Sequence, residues 1–298
     1  MKLFAQLVVG GVAQGALYAL VALGFVIIYK ATDVINFAQG GLVLLGAYIC
    51  FTFNGQWGWP FYPSVLAAMA VAALLGLAIE RVILRRMIGQ PNYAIIMITI
   101  GLSIAIDQIV IWKWTGSQRN FGDPWGLDTY KVGGVVIPVV NVVQIVAAGA
   151  LLVGFFALFR YSRVGIAMRA TASDQEAALA QGISVKRVFG LSWAIAAAIG
   201  ALAGVLLVSG GRGLGPDLSF VALAAFPAII LGGLDSAGGA VVGGLVMGLV
   251  QSLTAGYNDK LPAVLGPNFN RVTPYVVLVA ILMVRPYGLF GTREVTRV

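Results

Sequence analysis

From Leu3 to Tyr29 the chain runs 27 residues without a charged side chain. As a helix that stretch is about 40 Å long, enough to cross a bilayer with tilt. A secretory leader has an apolar region of only about 7–15 residues. The segment is therefore expected to be an uncleaved first span, although Lys2 precedes it. It is not alone. Ser64 to Leu84, Tyr93 to Trp112, Val139 to Phe159, Val188 to Ser209 and Thr273 to Phe290 read as further spans. Leu42 to Phe53, Ser219 to Leu231 and Ala240 to Ala255 are shorter apolar segments. Only 10% of the 298 residues are charged and 60% are hydrophobic, against about 25% charged in a soluble domain. The expected fold is all-α and integral to the membrane: one transmembrane domain, 1–298, of eight to nine helices with short interrupted segments.

Charge placement orients the bundle. Lys30, Arg81, Arg85, Arg86, Arg160, Arg163, Arg169, Lys186, Arg187, Arg285, Arg293 and Arg297 fall at one set of span ends, 12 of the 19 basic residues. The positive-inside rule makes that set cytoplasmic, with the N-terminus outside and the C-terminus inside. Asn54 to Pro63, rich in Trp and Tyr, reads as an interfacial loop, and 113–138 as an external cap. The net charge of +8 comes without a basic run interleaved with aromatics, so lipid rather than nucleic acid is the expected surroundings.

Several chemistries are excluded. The chain has no histidine, which removes Ser-His catalysis, HExxH zinc sites and His-ligated haem. No Gly-Lys dipeptide occurs, so there is no Walker A loop. Cys50 is the single cysteine. Gly232-Gly233-Leu234-Asp235 differs from an intramembrane aspartyl-protease GxGD in carrying leucine before the aspartate. No catalytic residue, metal ligand or cofactor of the chain's own is expected.

One polar stretch interrupts the apolar pattern, Tyr161 to Arg187. Ser173 followed by Glu176 has the spacing of a capping box, and Asp174 and Glu176 suit a helix start. A short helix, Ser173–Gln181, is expected to end at Gly182 in a left-handed turn. Such a helix outside a bundle is either a plain cytoplasmic loop or a docking element. Glu176-Ala177-Ala178, three residues and Gly182 is similar to the EAA-x-x-x-G coupling loop of ABC-importer permeases. Ile35 to Gly41 with Gly46-Ala47-Tyr48, and Gly232 to Gly244, resemble two further blocks of the branched-chain amino acid permease family. The I-x-L-P that follows the loop in many importers is absent, since Ser184, Val185 and Lys186 follow Ile183.

The resemblance implies a type II ABC-importer-like permease subunit that moves leucine, isoleucine or valine into the cytoplasm across a bacterial inner membrane. It implies a second, paralogous permease subunit, two cytoplasmic ATPases that bind ATP and Mg, and a periplasmic amino-acid-binding protein. Ser173, Asp174, Glu176, Ala177, Ala178 and Gly182 would then couple to the ATPase. For the path, polar groups that could serve a zwitterion are Gln14, Asn36, Gln39 and Asp235. Gln14 suits helix packing equally well, and Asn36 and Gln39 suit a hydrated turn. A urea or short-amide importer would share these features. A secondary transporter or channel would need no ATPase and commonly places ionisable groups at mid-membrane. Gly40 to Gly46 also lies over Gly238 to Gly244 as a possible parallel repeat.

Overall fold

The computed structural model describes residues 2–87, 90–119, 122–258, 266 and 268–291. Its regular structure includes eleven α-helices and one β-hairpin among the described residues. They are α1 (Lys2–Thr32), α2 (Gln39–Phe51), α3 (Phe61–Val82), α4 (Asn92–Trp114), α5 (Val139–Tyr161), α6 (Arg163–Ser173), α7 (Gln175–Ala180), α8 (Val185–Val208), α9 (Val221–Gly232), α10 (Ala237–Gly256) and α11 (Phe269–Val284), with β1 (Thr129–Val132) and β2 (Val135–Pro138) between α4 and α5. Among the described residues, six helices are long and apolar enough to cross a membrane: α1, α3, α4, α5, α8 and α10. The shorter α9 and α11 are apolar as well. Arg293 and Arg297, used above for orientation, lie outside the described residues.

The bundle has two distinct ends. At one, Lys30, Arg81, Arg85, Arg86, Arg169 and Lys186 gather around the exits of α1, α3 and α5 and the entry to α8. At the other lies the hairpin, with Asp123 accepting from the backbone N–H of Gly126 and of Gly210 at 2.7 Å each. Arg119 and Leu214 pair their backbones there. We refer to the basic end and the hairpin end. α1, α3, α5, α9 and α11 run toward the basic end; α2, α4, α8 and α10 run away from it. The segment read as too short to cross, Leu42 to Phe53, is longer than expected. α2 continues into a π-helical turn, Thr52–Gln56, where Trp114 Nε1 donates to Thr52 Oγ1 at 2.9 Å. α2 and α10, which carry the two halves of the possible repeat, run in the same direction.

A helix that is apolar on every side belongs at the centre of such a bundle. For α1, 89% of the most apolar stretch is buried, and for α8 72%, against 17% for α4. Close approach makes this possible. Gly11 and Gly15 on α1 face Gly244 and Gly248 on α10, two small-xxx-small pairs that let backbones touch. A Cβ on Gly248 would lie 2.2 Å from the Gly15 nitrogen.

Candidate functional site: the polar segment and the cavities beside it

The polar stretch folds as two helices rather than one. Ser162 caps α6 by accepting from the Gly165 N–H at 2.9 Å. α6 then runs to Ser173, the residue expected to open the next helix. Asp174 takes that role instead, in extended backbone, with one carboxylate oxygen accepting from Glu176 and Ala177 N–H, each at 2.9 Å. The expected Ser173–Glu176 capping box does not form. A carboxylate next in line carries a full charge to the positive helix end and accepts two orphan donors, which a hydroxyl does less well.

α7 stops as the sequence indicates. The N–H of Gly182 bonds the Leu179 carbonyl at 2.9 Å and that of Ile183 the Ala178 carbonyl at 3.0 Å. This is a Schellman turn, with Gly182 at φ 79°. Five of the six residues of α7 are exposed, and Ala178 alone is buried, at 3%. Of the residues expected to couple, Ala178 thus faces the bundle. The outward face carries Glu176, Ala177, Ala180 and Leu179, the last 58% exposed.

Behind α7, α8 is tied to α3. Glu80, 1% exposed at the end of α3, receives Arg85 Nε at 3.2 Å and Nη2 at 2.8 Å on its two carboxylate oxygens. Arg85 Nη2 also donates to the Lys186 carbonyl at 3.3 Å, in the first turn of α8. Sequence reading used Arg85 only as a sign of sidedness and made no use of Glu80. A lone carboxylate at the end of an apolar helix, five residues before an arginine, was the available signal, because such a group needs a partner.

Two cavities flank α7, and Gln175 lines both. The first, of about 290 Å³, is bounded by Ile28, Asn36, Glu80, Thr99, Phe189 and Trp193 among others. The second, of about 590 Å³, has a charged wall of Lys30, Asp33, Arg169, Asp174 and Asp235. The expected path residues therefore separate. Asn36 stands in the first wall, 1% exposed, its Oδ1 accepting from the Ala38 N–H at 3.0 Å. Gln39 is packed between helices: Nε2 donates to the Ala196 carbonyl of α8 at 3.3 Å, in space left by Gly24 of α1. Asp235 is in the second wall, beside Ser173 and Asp174. Gln14 lies toward the hairpin end, where its Oε1 accepts from Arg212 Nη1 at 3.1 Å. The structure brings Asp235 to the expected coupling residues and leaves Gln14 far from them.

The sequence profile described as "Branched-chain amino acid transport system / permease component" matches residues 7–283. The chain is 30% identical to the high-affinity branched-chain amino acid transport system permease protein LivH of Escherichia coli (strain K12), over 99% of this chain and 98% of that protein. It is 29% identical to the corresponding permease protein BraD of Pseudomonas aeruginosa, with the same coverage. It is also 29% identical to a probable branched-chain amino acid transport permease protein LivH of Methanocaldococcus jannaschii, over 95% of this chain and 91% of that one. No solved structure matches the chain.

Proposed function

Since the chain belongs to the family of branched-chain amino acid transport permease components, we propose that it forms half of a membrane path that admits leucine, isoleucine or valine to the cytoplasm. It is the permease subunit of an ABC importer. The other half is a second, paralogous permease subunit. ATP and Mg are bound by two separate ATPases at the basic end, which is cytoplasmic. A periplasmic amino-acid-binding protein delivers substrate at the hairpin end. α1, α2, α3, α4, α5, α8, α9, α10 and α11 make nine crossings, which leaves the N-terminus outside and the C-terminus inside. The membrane is the bacterial inner membrane.

The observation that carries this reading is the outward face of α7. A six-residue helix with Leu179 and two alanines exposed gains little from solvent, and its small face fits a groove in a partner. Its only buried residue, Ala178, anchors it to the bundle, while the Arg85 contact to Lys186 ties the exit of the segment to α3. A push on α7 by a closing ATPase would thus reach α3 and α8 together. Ser173, Asp174, Glu176, Ala177 and Gly182 shape or present this face.

The reading has a direct test. No atom lies within 4 Å of a Cβ built on Gly182, which sits at φ 79°, so Gly182→Val acts chiefly through the backbone. It should cost the turn about 1–2 kcal/mol. Gly182→Val and Glu176→Ala are each expected to lower substrate-stimulated ATP hydrolysis by on the order of tenfold, with membrane insertion unchanged. Coupled hydrolysis at the wild-type rate in both variants would refute docking through α7.

A further inference from the structure

The larger cavity beside α7 carries both signs of charge in one wall. Its cations are held on a single ring: Lys30 Nζ and Arg169 Cζ each lie 5.5 Å from the centre of Phe159. Arg169 is fixed further by Nη1, which donates to the Phe159 and Arg160 carbonyls. The opposite charge comes from Asp174, Asp235 and Asp33, the last at the turn that ends α1. The Asp33 backbone is left-handed, at φ 56°, and its N–H donates to the Tyr29 carbonyl at 2.7 Å. No salt bridge joins Lys30 or Arg169 to Asp33. Thr171, 2% exposed, also lines this cavity, and its buried hydroxyl has no hydrogen-bond partner.

Opposite charges on flexible side chains ordinarily meet and pair. Here the ring holds the cations, the turn holds Asp33 and the cap of α7 holds Asp174, all in the wall of a cavity of about 590 Å³. A wall of this kind complements a ligand that bears both charges at one end. We propose that the cavity binds the zwitterionic end of a free α-amino acid on the cytoplasmic side, its carboxylate toward Lys30 and Arg169 and its ammonium toward Asp33. The site rests on the import reading and gives it an inner station. Asp174, the cap of α7, shares the wall, so the occupant sits against the coupling helix. The zwitterionic headgroup of phosphatidylethanolamine has the same chemistry, and the test must separate the two.

The experiment is equilibrium binding of radiolabelled leucine to the purified full transporter in nanodiscs, without the binding protein. Saturable binding is expected, weakened on the order of tenfold by Lys30→Met and by Asp33→Asn. Asparagine tolerates the left-handed backbone, so the second variant removes charge and keeps the turn. 4-Methylpentanoate and 3-methylbutylamine, each with one of the two charges, should compete poorly. Equal competition by either would overturn a zwitterion site. Displacement by glycerophosphoethanolamine as effective as by leucine would assign the cavity to a lipid headgroup. Absence of saturable binding by protein that performs ATP-driven leucine uptake once reconstituted in proteoliposomes with the binding protein would overturn the site and leave import standing. Failure of that uptake as well would overturn the import reading on which the site rests.

Discussion

Replacing Arg85 with methionine is expected to destabilise the permease by about 3–5 kcal/mol, the cost of leaving a buried charge without its partner. Glu80 is 1% exposed and both its oxygens are engaged by the one guanidinium. α8 closes one side of it, since a Cβ on Gly190 would lie 3.2 Å from Glu80 Oε2, while another side forms part of the wall of the smaller cavity. The reverse change, Glu80→Gln, should cost less, because the Arg85 side chain is 30% exposed and can rehydrate. The two variants therefore separate an ion-pair effect from mere crowding. Thermal unfolding of the detergent-purified protein should rank wild type above Glu80→Gln and Glu80→Gln above Arg85→Met. The opposite order of the variants would mean that the arginine, not the carboxylate, is the group stranded.

Gly248→Leu should abolish the folded protein. The seam between α1 and α10 depends on backbones in contact, with Gly248 against the Gly15 nitrogen and Gly15 against the Leu245 Cα, each Cβ position under 3 Å from its neighbour. Neither contact is with a side chain that could swing away. Leucine would force the helices apart over the most buried part of α1, at a cost above the roughly 1–3 kcal/mol of ordinary overpacking. Gly248→Ala should fall between leucine and wild type. Gly154→Ala on α5 is the control: nothing lies within 4 Å of its Cβ position, so it should change stability by no more than about 0.5 kcal/mol. Yield of monodisperse protein after size exclusion reads all three. Wild-type behaviour of Gly248→Leu would show that α1 and α10 do not pack as described.

The spans were legible because burial in a bilayer demands a long apolar run, and that demand is written locally. Val139 to Phe159 became Val139–Tyr161, and Tyr93 to Trp112 became Asn92–Trp114. α6 was not legible in the same way. Four of its eleven residues are polar, its cap is an ordinary serine, and the Ser173-x-x-Glu176 spacing drew the helix start to the wrong side of Asp174. The hairpin did leave a signal, Gly133-Gly134 between two short β-prone runs, but a polar external loop was the simpler reading of that stretch. For the site, residue type was readable and position was not. Asn36 and Gln39 are three residues apart, yet one lines a cavity and the other is clamped between α1 and α8. Lys30 and Arg169 share Phe159 only because α1, α5 and α6 converge at one end of the bundle. No local pattern announces that convergence.

The central claim is that this chain passes branched-chain amino acids under the drive of a separate ATPase. Proteoliposomes holding the chain with its permease partner and ATPases, supplied with loaded binding protein, would measure it most directly. Leucine should accumulate only with ATP and Mg on the ATPase side, and accumulation should fall with Gly182→Val while the complex stays assembled. Leucine entry at the same rate without ATP, or without the ATPases, would contradict the account and make the chain a channel or a gradient-driven carrier.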